Sequence, residues 1–431
     1  MKRSHTPCVL MLVLCLGACP SNDIPTAPTD TAAPDATTVD GLQSAMDTSP
    51  DSDVMDVTDV EDGKLMPVDT STADAADSNP PTEVPRLDDF AKSIQESLGL
   101  PGVAVLAFNS THILARGVAG VRKHDEDEPI TDGDRWHLGS CTKAMTATIV
   151  ARLVERGELA FDATLSQLFP DAKVHQDYHD VTVAHLLRHE GGTYSNIGDQ
   201  AADLWSFLWQ AGDENLVKTR YDFAKAVLGK PPTHTVGAYH YSNTGYVILG
   251  SIIESVTDMP WEAVIDEEVF TPLGMNHCGF GAPATPGTVD APWGHKKKAN
   301  GALSAIDPAS PQSDNPPAFG PAGTVHCDLD SWVLYLQGHL GGGPDAYLEP
   351  ETWELLHTPN PPKKYGFGWL VPQPATLTHM GSNTMNVVTT WLYKPNNLGL
   401  IIVTNTGPVS EIAVPLNAKI PDLAEVVATL D

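Results

Sequence analysis

The stretch WHLGSCTKAMTATIVARL, residues 136–153, decides how the fold of the whole chain is interpreted. It places Ser140 and Lys143 three residues apart at the start of a predicted helix, so the amine lies over the turn that holds the hydroxyl. A serine hydroxyl is a poor nucleophile until a base takes its proton, and a partly buried lysine with a lowered pKa can do this. We therefore predict Ser140 as a nucleophile and Lys143 as its base, although an isolated SxxK spacing arises by chance in many chains.

A second polar segment follows about a hundred residues later, in GAYHYSNTGYVILG, residues 237–250. Tyr241 and Asn243 are two residues apart and can face one cleft, where the phenol shuttles a proton and the amide holds a substrate carbonyl. The alternative is a purely local role, in which Ser242 or Asn243 caps the helix that follows.

A third segment, THMGSN, has the composition of a strand end and contains His379, Gly381 and Ser382. An imidazole next to a small residue allows a substrate backbone to lie along the strand edge. We expect the backbone N–H of Ser382 to complete an oxyanion hole with that of Ser140.

The order SxxK, YxN, HxG resembles the serine β-lactamase and penicillin-binding-protein family, in its branch of class C β-lactamases, D-Ala-D-Ala carboxypeptidases and esterases. The resemblance extends through the intervening sequence, in GELAFDATLSQLFP, VTVAHLLRHEGGTYS, VFTPLGMNHCGFG, PAGTVHCDLDSW and YGFGWLV. It implies an α/β fold over residues 86–431, with an antiparallel sheet flanked by terminal helices, an inserted all-helical domain, and the site between the two.

The resemblance implies a serine hydrolase that works through an acyl-enzyme, without a cofactor or a metal ion, on an ester, a D-amino-acid peptide or a β-lactam. Two departures favour an esterase or D-peptidase over a β-lactamase. His379 stands where β-lactamases usually carry a lysine, and no residue can be placed as the glutamate base of class A enzymes. The alternative is a catalytically silent binding lipoprotein of the cell envelope with the same fold.

The beginning of the chain has the features of an export signal. Residues 1–19 start with two basic residues, continue with an apolar run too short to span a bilayer, and end in LGAC at Cys19. This pattern resembles a bacterial lipobox and predicts a lipid-anchored protein on the periplasmic or cell-surface side of an envelope membrane. The alternative is an ordinary signal peptide that happens to contain Cys15 and Cys19.

Residues 20–85 are predicted to be a disordered acidic linker. They contain fifteen acidic residues and one lysine, with almost no aromatic or β-branched clusters to build a core. The formal net charge of the whole chain, −30, argues against nucleic acid as a partner and against electrostatic docking on anionic lipid. The expected partners are therefore a small-molecule or peptide substrate and, through Cys19, a membrane.

Three cysteines lie beyond the signal, Cys141, Cys278 and Cys327, and an odd number in an exported protein leaves at least one thiol free. Pairing of Cys278 with Cys327 is possible, but their positions alone do not show it. The segment HLLRHE, with His185 and His189 four residues apart, lacks the HExxH order of zinc proteases, and we interpret it as a packing element.

Overall fold

The computed structural model describes residues 83–195, 201–209, 215–298 and 300–430. The predicted signal segment with Cys19 and nearly all of the predicted linker lie outside these residues. Within them, no helix is both long enough and apolar enough to cross a bilayer.

The described strands and helices are numbered in chain order. The strands are β1 (Gly102–Phe108), β2 (Ile113–Gly120), β3 (Arg135–His137), β4 (Cys278–Phe280), β5 (His295–Lys297), β6 (Leu303–Ala305), β7 (Val325–Asp328), β8 (Leu370–Gln373), β9 (Thr376–Ser382), β10 (Val387–Tyr393), β11 (Leu398–Thr404) and β12 (Thr406–Gly407). The helices are α1 (Asp88–Leu98), α2 (Thr142–Glu155), α3 (Leu165–Leu168), α4 (Val183–Leu187), α5 (Ala202–Leu208), α6 (Leu216–Leu228), α7 (Asn243–Thr257), α8 (Trp261–Ile265), α9 (Thr271–Leu273), α10 (Gly320–Gly323), α11 (Leu329–His339), α12 (Pro350–Leu356), α13 (Val409–Asn417) and α14 (Ile420–Val427).

The main sheet is assembled from the two ends of the described chain. Its strand order is β2-β1-β11-β10-β9-β8, and every neighbouring pair is antiparallel. Strands β1 and β2 form a hairpin, whose turn is held by a hydrogen bond from Asn109 N–H to the carbonyl of His112. The predicted antiparallel sheet is confirmed.

Strand β1 is buried on both faces, which explains why its sequence is a continuous apolar run instead of an alternating one. Val103, Val105 and Ala107 face a core shared with the terminal helices α1, α13 and α14. The alternate residues of β1 face the larger core, which includes α2 and α7. The sheet therefore separates the terminal helices from the middle of the chain, as the predicted fold requires.

The middle of the chain is mostly helical, but it also contains small sheets that the sequence did not predict. One sheet has the order β3-β7-β4, and another has the order β12-β5-β6. Most of these strands have two or three residues, too few for a periodic pattern to indicate them. The first of these sheets matters for function because β3 leads directly to Ser140.

The C-terminal segment forms two successive helices. Helix α13 ends at Asn417, and α14 begins at Ile420 with Pro421 in its first turn. A proline in the first turn is compatible with a new helix, whereas the ring obstructs continuation of the preceding one.

The pairing of the cysteines is resolved by the small sheet around β7. Cys278 on β4 and Cys327 on β7 are register partners and form a disulfide with an S–S distance of 1.98 Å. Cys141 is a free, buried thiol.

Candidate active site

Ser140 lies on a tight turn between β3 and α2. Residues Gly139–Cys141 form a single 3-10 turn that continues into α2. Gly139 has a left-handed φ of +49°, and a Cβ built on it would lie 2.3 Å from the backbone nitrogen of Ser382. Only glycine fits such a close approach at a positive φ without strain. The end of β9 is therefore in direct contact with the turn that carries Ser140.

The side chains of Ser140 and Lys143 are in contact, as their spacing predicts. Lys143 Nζ lies 2.9 Å from Ser140 Oγ and donates a hydrogen bond of 2.6 Å to the carbonyl of Ala322 on α10. The lysine is completely buried, and within the described residues no carboxylate forms an ion pair with it. Burial therefore holds the pKa of Lys143 well below its usual value of 10.5. A neutral amine that donates to Ala322 retains a lone pair for the proton of Ser140.

Tyr241 reaches the same place from the loop before α7. Lys143 Nζ lies 4.9 Å from the centre of the Tyr241 ring. The Tyr241 hydroxyl is buried and has no hydrogen-bond partner among the described residues. Burial raises the pKa of Tyr241 above its usual value, and the nearby Ser140 hydroxyl opposes this shift only in part. The phenol therefore keeps its proton at neutral pH and can donate it.

The residues after Tyr241 combine the two roles that the sequence left open. Ser242 is the N-cap of α7, and its hydroxyl accepts a hydrogen bond of 3.1 Å from Gly245 N–H. Asn243 is the first residue of that helix, and its Oδ1 is buried without a partner among the described residues. An acceptor in this state is available to an N–H donor of a ligand.

The HLLRHE segment packs behind Tyr241, and its second histidine has a more specific position than the sequence indicated. His189 Nδ1 accepts a hydrogen bond of 3.0 Å from Ser242 N–H, and its ring centre lies 4.2 Å from that of Tyr241. Burial, reinforced by the proximity of Lys143, keeps the pKa of His189 well below its usual value. His189 thus supports the Tyr241 ring as a neutral group. Among the described residues, no three histidine, cysteine or acidic side chains are grouped to hold a metal ion.

His379 lies on β9 with both ring nitrogens occupied. Nδ1 lies 2.7 Å from the carbonyl of Met380, and Nε2 lies 3.0 Å from the hydroxyl of Tyr365. Since a carbonyl only accepts, the ring proton is on Nδ1, and Nε2 accepts from Tyr365. Burial, together with the proximity of Lys143, lowers the pKa of His379 to about 3. The ring is therefore neutral, and Tyr365, in the YGFGWLV segment, is a neighbour of the site to which the sequence assigned no role.

Gly381 and Ser382 complete the contact between β9 and the Ser140 turn. A Cβ on Gly381 would lie 2.0 Å from the carbonyl oxygen of Leu138. The missing side chain of this glycine thus faces the turn, whereas the sequence suggested that it makes room for a substrate backbone. The hydroxyl of Ser382 accepts a hydrogen bond of 2.8 Å from Thr384 N–H. The close approach of β9 to Leu138 and Gly139 leaves the backbone nitrogen of Ser382 next to the residue that precedes Ser140.

Comparison with known proteins reveals relatives among hydrolases and penicillin-binding proteins. Esterase EstB of Burkholderia gladioli is 30% identical over 206 residues, which cover 44% of this chain and 50% of the esterase. Penicillin-binding protein 4 of Amycolatopsis lactamdurans is 33% identical over 186 residues, which cover 41% of this chain and 44% of that protein. The chain thus spans about half the length of these two curated relatives.

The fold is also similar to that of a penicillin-binding protein homologue. The solved structure of the octameric penicillin-binding protein homologue from Pyrococcus abyssi superposes with a TM-score of 0.61 at 23% identity, covering 77% of this chain and 76% of that chain. Likeness at this identity establishes the fold, and it confirms the predicted architecture of sheet, terminal helices and helical insertion. The profile of the Beta-lactamase family matches residues 87–424. The chain therefore belongs to the beta-lactamase family.

Proposed function

We propose that this protein is a serine hydrolase that forms an acyl-enzyme on Ser140. The observation that carries the proposal is the 2.9 Å contact between Ser140 Oγ and Lys143 Nζ at a completely buried lysine. Labelling by a fluorescent phosphonate tests it, because such a probe reacts covalently only with an activated nucleophile. A silent binding protein of the same fold would not be labelled.

In the proposed reaction, Lys143 takes the proton of Ser140 while Oγ attacks the substrate carbonyl. The N–H groups of Ser140 and Ser382 stabilise the oxyanion. The phenol of Tyr241 then donates a proton to the leaving group, and the ammonium of Lys143 passes the proton taken from Ser140 to the resulting phenolate. Water hydrolyses the acyl group in a second round, with the same groups moving protons in the opposite direction.

We further propose that the preferred substrates are neutral esters or D-amino-acid peptides. A substrate carboxylate would need a cation or a free donor at the β9 edge, but His379 is neutral and both its nitrogens are engaged. A penicillin or cephalosporin carries such a carboxylate, so it gains little at this position. The names of the relatives, an esterase and penicillin-binding proteins, are in keeping with this choice.

The unsubstituted protein is expected to hydrolyse a short-chain nitrophenyl ester with a higher kcat/KM than a chromogenic cephalosporin. His379→Lys should raise the ratio of cephalosporin to ester turnover by about 10- to 100-fold, because a charge-assisted hydrogen bond is worth about 1.5–3 kcal/mol. His379→Gln, which adds no charge, is the matched control and should leave the ratio near that of the unsubstituted protein. A higher kcat/KM for the cephalosporin in the unsubstituted protein would replace the esterase assignment with that of a β-lactamase.

We also propose that the protein is exported and attached to a bacterial envelope membrane by a lipid on Cys19. The support is the short apolar run that ends in LGAC. Cys19→Ser is expected to move the protein from the membrane fraction to the soluble fraction on cell fractionation, and Cys15→Ser should leave it in place. Membrane retention of the Cys19→Ser variant would contradict the proposed anchor.

A further inference from the structure

A small polar cluster lies behind the Ser140 turn and joins three distant parts of the chain. We call it the Asp314 cluster; it consists of His137, Asp314 and Asn383. His137 is the last residue of β3, Asp314 precedes α10, and Asn383 directly follows β9. His137 is fully buried, Asn383 is 2% exposed and the side chain of Asp314 is 8% exposed.

One arm of the cluster leads to the turn of the nucleophile. Gly139 N–H donates a hydrogen bond of 3.0 Å to His137 Nδ1, which therefore carries a lone pair and leaves the ring proton on Nε2. Nε2 lies 2.8 Å from Oδ1 of Asp314, close enough for an electrostatic contact although not aligned as a regular hydrogen bond. The carboxylate thus orients the ring that holds the residue immediately before Ser140.

The other arm leads to the end of β9. Asn383 Nδ2 donates a hydrogen bond of 3.1 Å to the same Oδ1 atom of Asp314. Asn383 Oδ1 accepts from Met385 N–H at 3.3 Å and from Asn386 Nδ2 at 3.0 Å, so the amide is fixed from both ends. Asn383 is the residue immediately after Ser382. A single carboxylate oxygen therefore contacts both segments that carry the two N–H groups of the proposed oxyanion hole.

The hydrogen-bonding capacity of the Asp314 carboxylate is only partly satisfied. Its Oδ2 is buried and has no hydrogen-bond partner among the described residues. No lysine or arginine of the described residues forms an ion pair with it, and its contact with His137 is to a ring whose single proton is on Nε2. Burying a carboxylate that is only partly satisfied is unfavourable, so packing alone is a poor reason for an aspartate here. Its two contacts are instead those that set the distance between the Ser140 turn and β9.

We propose that Asp314 is a positioning residue for the oxyanion hole. By holding His137 on one side and Asn383 on the other, it sets the separation of the N–H groups of Ser140 and Ser382. Small errors in such a separation are costly, because stabilisation of the oxyanion depends on donors at hydrogen-bond distance from one oxygen atom. This inference rests on the proposed acyl-enzyme reaction at Ser140.

The test uses the full chain and measures the oxyanion hole directly. The protein is acylated with a nitrophenyl ester carrying a ¹³C-labelled carbonyl, and the infrared stretch of the acyl carbonyl reports the hydrogen bonds that it accepts. Asp314→Ala is expected to shift this stretch to higher wavenumber and to slow acylation by about 10- to 100-fold. Asp314→Asn should shift it less, because an amide oxygen still accepts from Asn383.

Asp328→Asn is the matched control. Its carboxylate is similarly buried, with 7% exposure of the side chain, and it pairs with His277 at 2.6 Å, at the end of β7 opposite Arg135. This variant should keep the carbonyl stretch and the acylation rate of the unsubstituted protein. Asn383→Ala breaks one arm of the cluster alone and should also shift the stretch upward, which keeps the test decisive if Asp314→Ala does not fold.

Three results would overturn the inference. The first is a folded Asp314→Ala or Asn383→Ala variant whose acyl carbonyl stretch and acylation rate are those of the unsubstituted protein. The second is a shift of the stretch in Asp328→Asn as large as that in Asp314→Ala. The third is faster acylation in Asp314→Ala, which would mean that the carboxylate opposes the oxyanion. Failure of the unsubstituted protein to acylate on Ser140 would instead refute the proposed function, and this inference with it.

Discussion

Ser140→Ala is expected to abolish labelling by a fluorescent phosphonate and to reduce ester hydrolysis by roughly 10⁴- to 10⁶-fold. The reason is that the proposed chemistry needs a bond between Oγ and the substrate, and no other group at the site can form it. The hydroxyl is half-buried at the start of α2, so its removal should leave the fold intact. Labelling measured on a gel and ester turnover measured by absorbance provide the two readouts.

The control for this variant is Ser97→Ala on α1, where the hydroxyl donates to the carbonyl of Ile94 on the far side of the main sheet. This variant should be labelled like the unsubstituted protein. Undiminished labelling of Ser140→Ala, with circular dichroism showing a native fold, would assign the nucleophile elsewhere. Absence of labelling in the unsubstituted protein would favour the silent binding protein.

Lys143→Ala is expected to slow acylation by about 10²- to 10⁴-fold, the usual contribution of a general base. The amine is the basic group in contact with Ser140 Oγ, and its loss leaves the hydroxyl without a proton acceptor. Lys296→Ala serves as the control, because Lys296 on β5 is also partly buried with a lowered pKa but lies outside the site. A near-normal acylation rate in Lys143→Ala would mean that another base serves Ser140.

The pH dependence of the unsubstituted protein tests the same role independently. Lys143 can accept a proton only in its neutral form, so kcat/KM should rise as the pH passes upward through the pKa of Lys143. Since burial holds this pKa well below 10.5, the rate should reach its plateau well below the pH at which an ordinary lysine loses its proton. A rise that occurs only near pH 10.5 would contradict a buried, neutral base.

Much of the main sheet was predictable from the sequence, but the small sheets were not. The doubly buried strand β1 and the turn at Asn109 have local signals, an apolar run and a turn residue. Strands such as β3 and β7 have three or four residues, and their pairing joins positions about 190 residues apart. No local pattern can specify such a pairing, because it depends on how the intervening helices pack.

The site likewise combines contacts that were predictable from the sequence with contacts that were not. Ser140 and Lys143 are one helical turn apart, so their contact is a local property of α2 and follows from the SxxK spacing. Tyr241 and His379 were placed at the site by the order of their motifs, in a resemblance to a known family. Asp314 was missed because it is an isolated polar residue in a loop, and Tyr365 was noted only as part of the YGFGWLV segment, without a role at the site.

The sequence by itself determined the contact between Ser140 and Lys143 and much of the main sheet, because helical spacing and apolar runs act over a few residues. Only the tertiary structure decided the chemical state of the side chains at the site. Lys143 has a lowered pKa because surrounding elements bury it against the carbonyl of Ala322, 179 residues further along the chain. His379 is a neutral acceptor because Tyr365 meets its Nε2. Burial and hydrogen-bond partners set the protonation of a group, and both come from residues that only folding brings together.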